Sequence, residues 1–287
     1  MTLKEKIQHS IQLLQKHEKL AMLYSDKGYY LAFSGGKDSQ ALYHIAILAG
    51  VRFEAHYNVT TIDPPELVRF IRKHYPDVVF EHPKLSFAKL CVKKKTLPTR
   101  YARFCCAELK ETGGANTVTL TGVRRAESSR RKLRGEAEIF SRSEKRRFSG
   151  TSYQFDQFTR NKEVEGVQCI KGKDKIIINP IIDWEENDVW GFLNNVAKVE
   201  HCELYDTGRT RLGCLFCPMA DIKSIKRDCE KYPKYKTLML RTICKLRANG
   251  YMNNYADLTD EEVFEWWISK KNIKQWYFEN KVQQYLF

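Results

Sequence analysis

The sequence predicts an α/β fold: a doubly wound, mostly parallel sheet followed by a helical C-terminal part. Three observations carry this expectation. Short apolar runs alternate with segments of helical periodicity from residue 28 to about residue 123, the pattern of βαβ units. The hexapeptide SGGKDS (34–39) lies between the first apolar run and a helical one. That places it at the carboxyl end of a strand, where α/β sheets bind ligands. Beyond residue 200 the chain turns helical and aromatic.

Taken in order, residues 3–24 predict a lead helix. Thr2 and Glu5 form a capping box, and Ile7, Ile11, Leu14 and Leu20 fall near one face. GYYLAF (28–33) reads as a buried strand, 37–49 as a helix and RFEAHYNV (52–59) as a second strand. Pro64-Pro65 open a helix to about His74, with proline in the tolerated first turn. DVVFEH (77–82) is a third strand. Helices are expected from Ser86 to Lys95 and over 102–112, with NTVTLTGV (116–123) a fourth strand. The polar stretch 141–166 is expected to be a mobile loop over the site. VQCIKGKDKIIINPII (167–182) reads as two strands around a Gly-Lys-Asp turn near the sheet edge. WEENDVWGFLNNVA (184–197) is an amphipathic helix, and Thr259 with Glu262 makes a second capping box. The domain division that follows is an N-terminal helix (1–25), a nucleotide domain (26–200) and a helical C-terminal subdomain (201–287).

Composition narrows the class. The chain has 287 residues, 43% of them hydrophobic, enough for a packed core. It has no apolar run long enough for a transmembrane helix, and its N-terminus lacks the apolar core of a signal peptide, so no membrane association and a cytoplasmic location are expected. The nine cysteines then point away from a disulfide framework. Cys91, Cys169, Cys202, Cys229 and Cys244 are expected to be packed thiols. The net charge of +14 favours polyanionic partners. Ten Lys/Arg against four Glu fall between Arg124 and Arg147, a concentration that suits a phosphate-binding face.

SGGKDS has the parts of a phosphate cradle. Gly35 and Gly36 let backbone N–H groups approach an anion, and the helix N-terminus adds partial positive charge. Ser34 and Ser39 supply hydroxyls, and Lys37 a full charge. Asp38 makes sense beside phosphate if it holds Mg²⁺. The spacing is neither that of the Walker A loop nor GxGxxG.

The hexapeptide resembles the pyrophosphate loop of the PP-loop, N-type ATP pyrophosphatases, which implies an adenine nucleotide alpha hydrolase-like fold and cleavage of ATP between the α and β phosphates. TGVRRAES (121–128) is similar to the TGxRxxES segment of the phosphoadenosine phosphosulfate (PAPS) reductase-like branch, and NPIIDWEENDVWGFL (179–193) to another segment of it. The resemblance implies that Lys37, Asp38 and Arg124 are catalytic. It implies that Ser34, Gly35, Gly36, Lys37, Asp38, Ser39, Gly122 and Arg124 hold the nucleotide, with weaker roles for Arg125 and Glu127. Thr60 and Thr61, in TTIDPPE at the end of the second strand, would contact the adenosine. Asp183, Trp184 and Asp188 would be structural, as helix cap and core.

RFCCAELK (103–110) and GCLFCP (213–218) bring two thiol pairs, Cys105 with Cys106 and Cys214 with Cys217. Four thiolates suit tetrahedral Zn²⁺ or a [4Fe–4S] cluster. Adjacent cysteines are awkward ligands for one tetrahedral ion, and CC plus CxxC resembles the iron–sulfur members of the branch. The cluster is therefore the expected cofactor beside ATP and Mg²⁺, with zinc the alternative. Arg100, Arg103 and Lys110 would offset the thiolate charge.

Sulfonucleotide reductases carry a catalytic cysteine near the C-terminus, whereas the last cysteine here is Cys244. The layout more closely resembles the iron–sulfur DNA phosphorothioation proteins. The implied reaction adenylylates a substrate oxygen, a DNA backbone phosphate, so that sulfur can replace it. The implied partners are nucleic acid (DNA ahead of RNA), a cysteine desulfurase as sulfur donor and other modification-system proteins. A sulfonucleotide reductase, a tRNA thiolase and a non-enzymatic nucleic-acid module with structural zinc remain alternatives.

Overall fold

The computed structural model describes residues 1–141, 145–164, 174–252 and 257–282. Along the chain, α1 (Leu3–Tyr24), β1 (Tyr29–Ala32), α2 (Lys37–Ala49), β2 (Phe53–Asn58), α3 (Pro65–His74) and β3 (Val79–Glu81) follow one another. Next come α4 (Phe87–Lys94), α5 (Phe104–Leu109) and β4 (Val118–Leu120), then β5 (Ala137–Ser141), β6 (Lys145–Gly150), α6 (Ser152–Val164) and β7 (Lys175–Ile178). After these lie α7 (Glu186–Gly191), continued by a π-helical Phe192–Ala197, and α8 (Ile222–Lys231), α9 (Pro233–Ala248), α10 (Asp260–Ser269) and α11 (Ile273–Tyr277). No described helix is long and apolar enough to cross a membrane.

These elements fall into two compact units. One comprises Met1–Asn58, Pro65–Glu81 and Thr112–Leu212; the other comprises Val59–Pro64, His82–Glu111 and Gly213–Phe287. The sequence reading divides the chain successively at residues 25 and 200, whereas these units alternate along it.

The first unit is built on a seven-stranded sheet in the order β3-β2-β1-β4-β7-β5-β6. β3, β2, β1, β4 and β7 run parallel, while β5 is antiparallel to both β7 and β6. This is the doubly wound α/β architecture expected. The order reverses at β1 and β4, the type of switch point where α/β sheets open a ligand crevice. The predicted elements to residue 123 are found, shortened by a residue or a few at their ends. The capping box of α1 is formed: Thr2 Oγ1 accepts the Glu5 N–H at 3.3 Å, and Glu5 Oε2 accepts the Thr2 N–H at 2.7 Å. Ser10 Oγ donates to the Pro180 carbonyl at 2.6 Å and receives the indole N–H of the buried Trp184 at 3.2 Å. These bonds tie α1 to the segment before α7.

Two expectations are corrected. The described residues of 141–166 form β6 and α6 rather than a loop. Phe148 packs on Phe155 and Phe158 at ring distances of 5.7 and 5.0 Å, and Phe155 is fully buried. The aromatic spacing thus outweighs the polar composition. β7 is an interior strand, between β4 and β5, rather than one near the sheet edge. All four of its residues are buried, and the β5–β6 hairpin supplies the edge. The partner strand expected over 167–171 lies outside the described residues, as does Cys169.

The second unit is helical. Phe87, Leu90, Phe216, Ile243, Phe264 and Trp267 belong to its apolar core. The Thr259–Glu262 capping box is formed at α10. The described cysteines are free thiols. Cys91 and Cys202 are buried as expected, but Cys244 is exposed, which corrects its reading as a packed thiol.

Candidate functional site

The phosphate loop starts where β1 ends. Gly35 has φ +72°, a left-handed conformation that glycine takes without a Cβ clash. A Cβ there would come within 2.7 Å of Ile71 and Leu67. Gly36 caps α2 from extended backbone. Gly122, after β4, fits against the loop because a Cβ would meet the Asp38 carbonyl oxygen at 2.8 Å. Ser39 Oγ donates to the Gly36 carbonyl at 2.8 Å and accepts the Ser34 N–H at 3.1 Å, which fixes the curl of the loop.

Lys37 and Arg124 are each 2% exposed, and they share carboxylates. The Lys37 Nζ donates to the Thr210 carbonyl at 2.9 Å and lies 3.3 Å from Glu186 Oε1 and 3.8 Å from Asp38 Oδ2. Arg124 Nε donates to Asp38 Oδ1 at 2.6 Å, Nη2 to Glu186 Oε2 at 2.9 Å and Nη1 to the Trp184 carbonyl at 3.2 Å. Two buried cations are thereby compensated by two carboxylates, as buried charges require. The Tyr205 hydroxyl accepts the Lys37 backbone N–H at 2.8 Å. Burial pushes the Tyr205 phenol well above its ordinary range, so it stays neutral.

A pocket of about 190 Å³ opens on this loop, lined by Ser34, Asp38, Ser39, Gly122, Arg131 and Arg211 among others. The two arginines meet on the nearly buried Glu127 carboxylate. Arg211 Nη2 lies 3.2 Å from its Oε2, while Arg131 pairs with Oε1. Burial lowers the Arg131 pKa. The Arg124 N–H donates to Glu127 Oε1 at 3.1 Å. Glu127 therefore joins the arginine segment to both pocket arginines. The arrangement can receive an anion on Arg131 and Arg211, with the Asp38 carboxylate on the pocket wall beside a divalent cation held mainly by phosphate oxygens and water. Mg²⁺ is commonly bound in that way.

In the second unit, Cys105, Cys106, Cys214 and Cys217 line one cavity with Thr60 and Lys110. The Cys214 thiol donates to Thr60 Oγ1 at 3.4 Å, and Arg103 Nη2 donates to Cys106 Sγ at 3.4 Å. The neighbouring Cys105 thiol and the Arg103 guanidinium draw the Cys106 pKa down. The Cys106 neighbour and burial push Cys105 up, and burial pushes Cys214 up. The charge of the nearby Cys214 sulfur raises the Lys110 pKa. Among the described residues, no three Cys, His, Asp or Glu side chains are grouped to hold a metal ion.

The structure thus gathers Ser34, Gly35, Gly36, Lys37, Asp38, Ser39, Gly122 and Arg124 around the loop, and the four cysteines around one cavity. Thr60 and Thr61 belong to the second unit. Thr60 lines the cysteine cavity, and Thr61 Oγ1 accepts the Phe87 N–H at the start of α4 at 2.8 Å. Arg125 pairs with Asp183 and donates to the Arg134 carbonyl. Asp188 caps α7 through the Glu185 N–H at 2.7 Å. Sequence reasoning missed Glu186, Tyr205 and Arg211. They lie in WEEND and LYDTGRTR, an acidic pair beside a tryptophan and an aromatic with two arginines shortly before GCLFCP, neither of which marks a site by local pattern alone.

Residues 28–220 match the model of the phosphoadenosine phosphosulfate reductase domain. The chain is 25% identical over 248 residues to the uncharacterized protein MJ0973 of Methanocaldococcus jannaschii, covering 84% of this chain and 53% of that protein. It is 24% identical over 259 residues to the uncharacterized protein MJ0066 of the same organism, covering 86% and 45%. The chain thus spans about half the length of these curated relatives. Among solved structures, it is similar to the FMN adenylyltransferase of Candida glabrata, with 14% identity, a TM-score of 0.45 and coverage of 74% of this chain and 61% of that one. It is also similar to the phosphoadenylyl-sulfate reductase of Candida auris in a phosphate complex, with 16% identity, a TM-score of 0.44 and coverage of 72% and 93%. The match to the domain model runs through the phosphate loop, the arginine segment and both cysteine pairs, and the chain belongs to the phosphoadenosine phosphosulfate reductase domain family.

Proposed function

We propose that this protein cleaves ATP between its α and β phosphates to adenylylate an oxygen of a nucleic-acid backbone phosphate, which sulfur then replaces. The single observation that carries the reading is the loop pocket itself. Glycine backbone, serine side chains, Arg131 and Arg211 line a pocket of about 190 Å³, with the Asp38 carboxylate on its wall and Lys37 and Arg124 held against that carboxylate.

In the proposed reaction the acceptor oxygen attacks the α-phosphorus. The bond from that phosphorus to the bridging oxygen breaks, and pyrophosphate leaves with the electron pair. Charge developing on the leaving group would be stabilised by Arg131 and Arg211 on the pocket wall and by Lys37, through its ammonium and its backbone N–H, once phosphate replaces Glu186 and the Tyr205 hydroxyl as their partners. Mg²⁺ bound by Asp38 would supply Lewis-acid stabilisation of the same charge. The terminal sulfur of a persulfide, from a cysteine desulfurase, then attacks the acceptor phosphorus and AMP departs. A thiol cleaves the remaining S–S bond and is oxidised to a disulfide, freeing the phosphorothioate.

The four thiols on one cavity support a [4Fe–4S] cluster as the group held there, with zinc as the alternative. In a cluster each thiolate takes its own iron, and basic neighbours such as Arg103 and Lys110 favour the anionic sulfur ligands. The net charge of +14 and the exposed Arg130 and Lys132 support a polyanionic acceptor. Incubation with ATP, Mg²⁺, an oligodeoxynucleotide and a persulfide donor tests the reading. AMP, pyrophosphate and a strand with one oxygen exchanged for sulfur are expected. Sulfite release from a sulfonucleotide, with no modified strand, would replace this reading with a reductase.

A further inference from the structure

Tyr101 is 99% exposed, yet it stands on a fixed turn. On one side of it, Leu97 is buried and the indole N–H of the buried Trp267 donates to the Pro98 carbonyl at 2.7 Å. The turn closes on itself: Thr99 Oγ1 accepts the Tyr101 and Ala102 N–H groups at 3.3 and 3.0 Å, and the Thr99 N–H donates to the Ala102 carbonyl at 3.2 Å. On the other side the chain enters α5. The backbone that carries the ring is thus held at several points, while the ring itself is left in water.

The segment is cationic in sequence, although Lys94 pairs with Glu108 at 3.3 Å and Arg103 also donates to Cys106. From Lys93 to Arg103 the chain carries Lys93, Lys94, Lys95, Arg100 and Arg103 and no carboxylate. Arg100 and Arg103 flank the ring within two residues, and both are exposed. A rigidly presented aromatic between arginines, in a run of lysines, matches the chemistry that binds an unpaired nucleic-acid strand. The cations track the phosphates, and the ring stacks on a base whose π-face is uncovered. A duplex covers those faces with neighbouring base pairs and offers the ring nothing. An acidic peptide would satisfy the cations but would leave the ring unused.

We propose that the segment Lys93–Arg103 is a binding site for single-stranded nucleic acid, with Tyr101 as the platform on which one unpaired base stacks. The site would select an acceptor strand whose bases are melted, looped out or otherwise unpaired. This inference rests on the nucleic-acid acceptor proposed above, and it is independent of the ATP chemistry.

Fluorescence anisotropy with the full chain tests it, using labelled deoxy- and ribo-oligonucleotides of about twelve nucleotides and a duplex of the same sequence. Tyr101→Ala is expected to weaken single-strand binding about tenfold, the scale of one base–aromatic stack, and to leave duplex binding unchanged. Tyr101→Trp is expected to restore single-strand binding. The exposed ring makes no core contact, so the thermal melt of Tyr101→Ala should match that of the parent. Equal single-strand affinity of parent and Tyr101→Ala overturns the proposal. So does competition by polyglutamate as effective as that by an unlabelled strand, which would point to an acidic protein partner. Pyrophosphate release from ATP, followed in the same preparations, separates the two readings. Release that persists while Tyr101→Ala binds normally overturns the strand site alone. Tyr101-dependent binding without any release supports the strand site and overturns the ATP reading alone.

Discussion

The Tyr205 hydroxyl accepts the backbone N–H of Lys37 at 2.8 Å, at the first residue of α2. This N–H is one of the orphan donors at a helix start, and it points where an anion would bind. Tyrosine and phosphate therefore compete for the same donor. Tyr205→Phe leaves that donor without its internal partner, at a cost of about 1 kcal/mol for one hydrogen bond. Pyrophosphate should bind the variant about threefold to tenfold more tightly by calorimetry, while the unliganded protein melts at a lower temperature. Unchanged affinity would show that the hydroxyl does not stand in the anion's place.

Glu186 touches both Lys37 and Arg124. Removing its carboxylate in Glu186→Ala leaves two buried cations short of one partner, which a triphosphate can supply. The unliganded variant should be less stable than the parent, and saturating ATP should raise its melting temperature by more than it raises the parent's. An equal ATP-induced shift in the two proteins would argue that Glu186 does not compete with the nucleotide.

His17 carries a pH dependence. It is nearly buried, with Nε2 2.9 Å from Ser152 Oγ and its ring edge-on to Phe155 at 5.6 Å. Burial lowers its pKa below the ordinary 6.5, outweighing the nearby Asp156 and Glu136 carboxylates, while Lys16 adds to the lowering. The unfolded chain therefore takes up this proton at a higher pH than the folded one. The stabilisation is complete above about pH 6.5 and is lost as pH falls toward the folded pKa. Between pH 7 and pH 5 the melting temperature of the parent should fall more steeply than that of His17→Gln. Parallel curves would remove His17 from the acid response.

The cysteine cavity makes a spectroscopic prediction. Anaerobic reconstitution with iron and sulfide should give a brown protein carrying about four irons per chain, and Cys214→Ala should lose the colour and most of the iron. A colourless protein with stoichiometric zinc would favour the tetrahedral alternative.

Much of this architecture was legible in the residues. The alternation of apolar and periodic runs gave the parallel strands, and SGGKDS announced its own geometry because Gly35 needs a positive φ that few other residues accept. The TGVRRAES motif includes Gly122, and the structure adds the reason, its close approach to the Asp38 carbonyl. What stayed hidden depends on partners distant in the chain. Nothing local in WEEND says that Glu186 will bridge Lys37 and Arg124, and nothing in LYDTGRTR says that Tyr205 will sit on the first amide of α2. The β5–β6 hairpin was hidden by its charge, since a basic edge strand resembles a loop until the packing of Phe148 on Phe155 and Phe158 is seen. The resemblance implies that Thr60 contacts adenosine, and the structure adds that its hydroxyl accepts from Cys214.

The central claim concerns which bond of ATP breaks. Purified protein incubated with ATP and Mg²⁺ in the presence of a nucleic-acid acceptor should release AMP, or AMP joined to the acceptor, together with pyrophosphate. Lys37→Ala should reduce that release by about a hundredfold or more, the scale of losing one charge-stabilising donor at a transition state. Formation of ADP and phosphate, or pyrophosphate release undiminished in Lys37→Ala, would contradict the account.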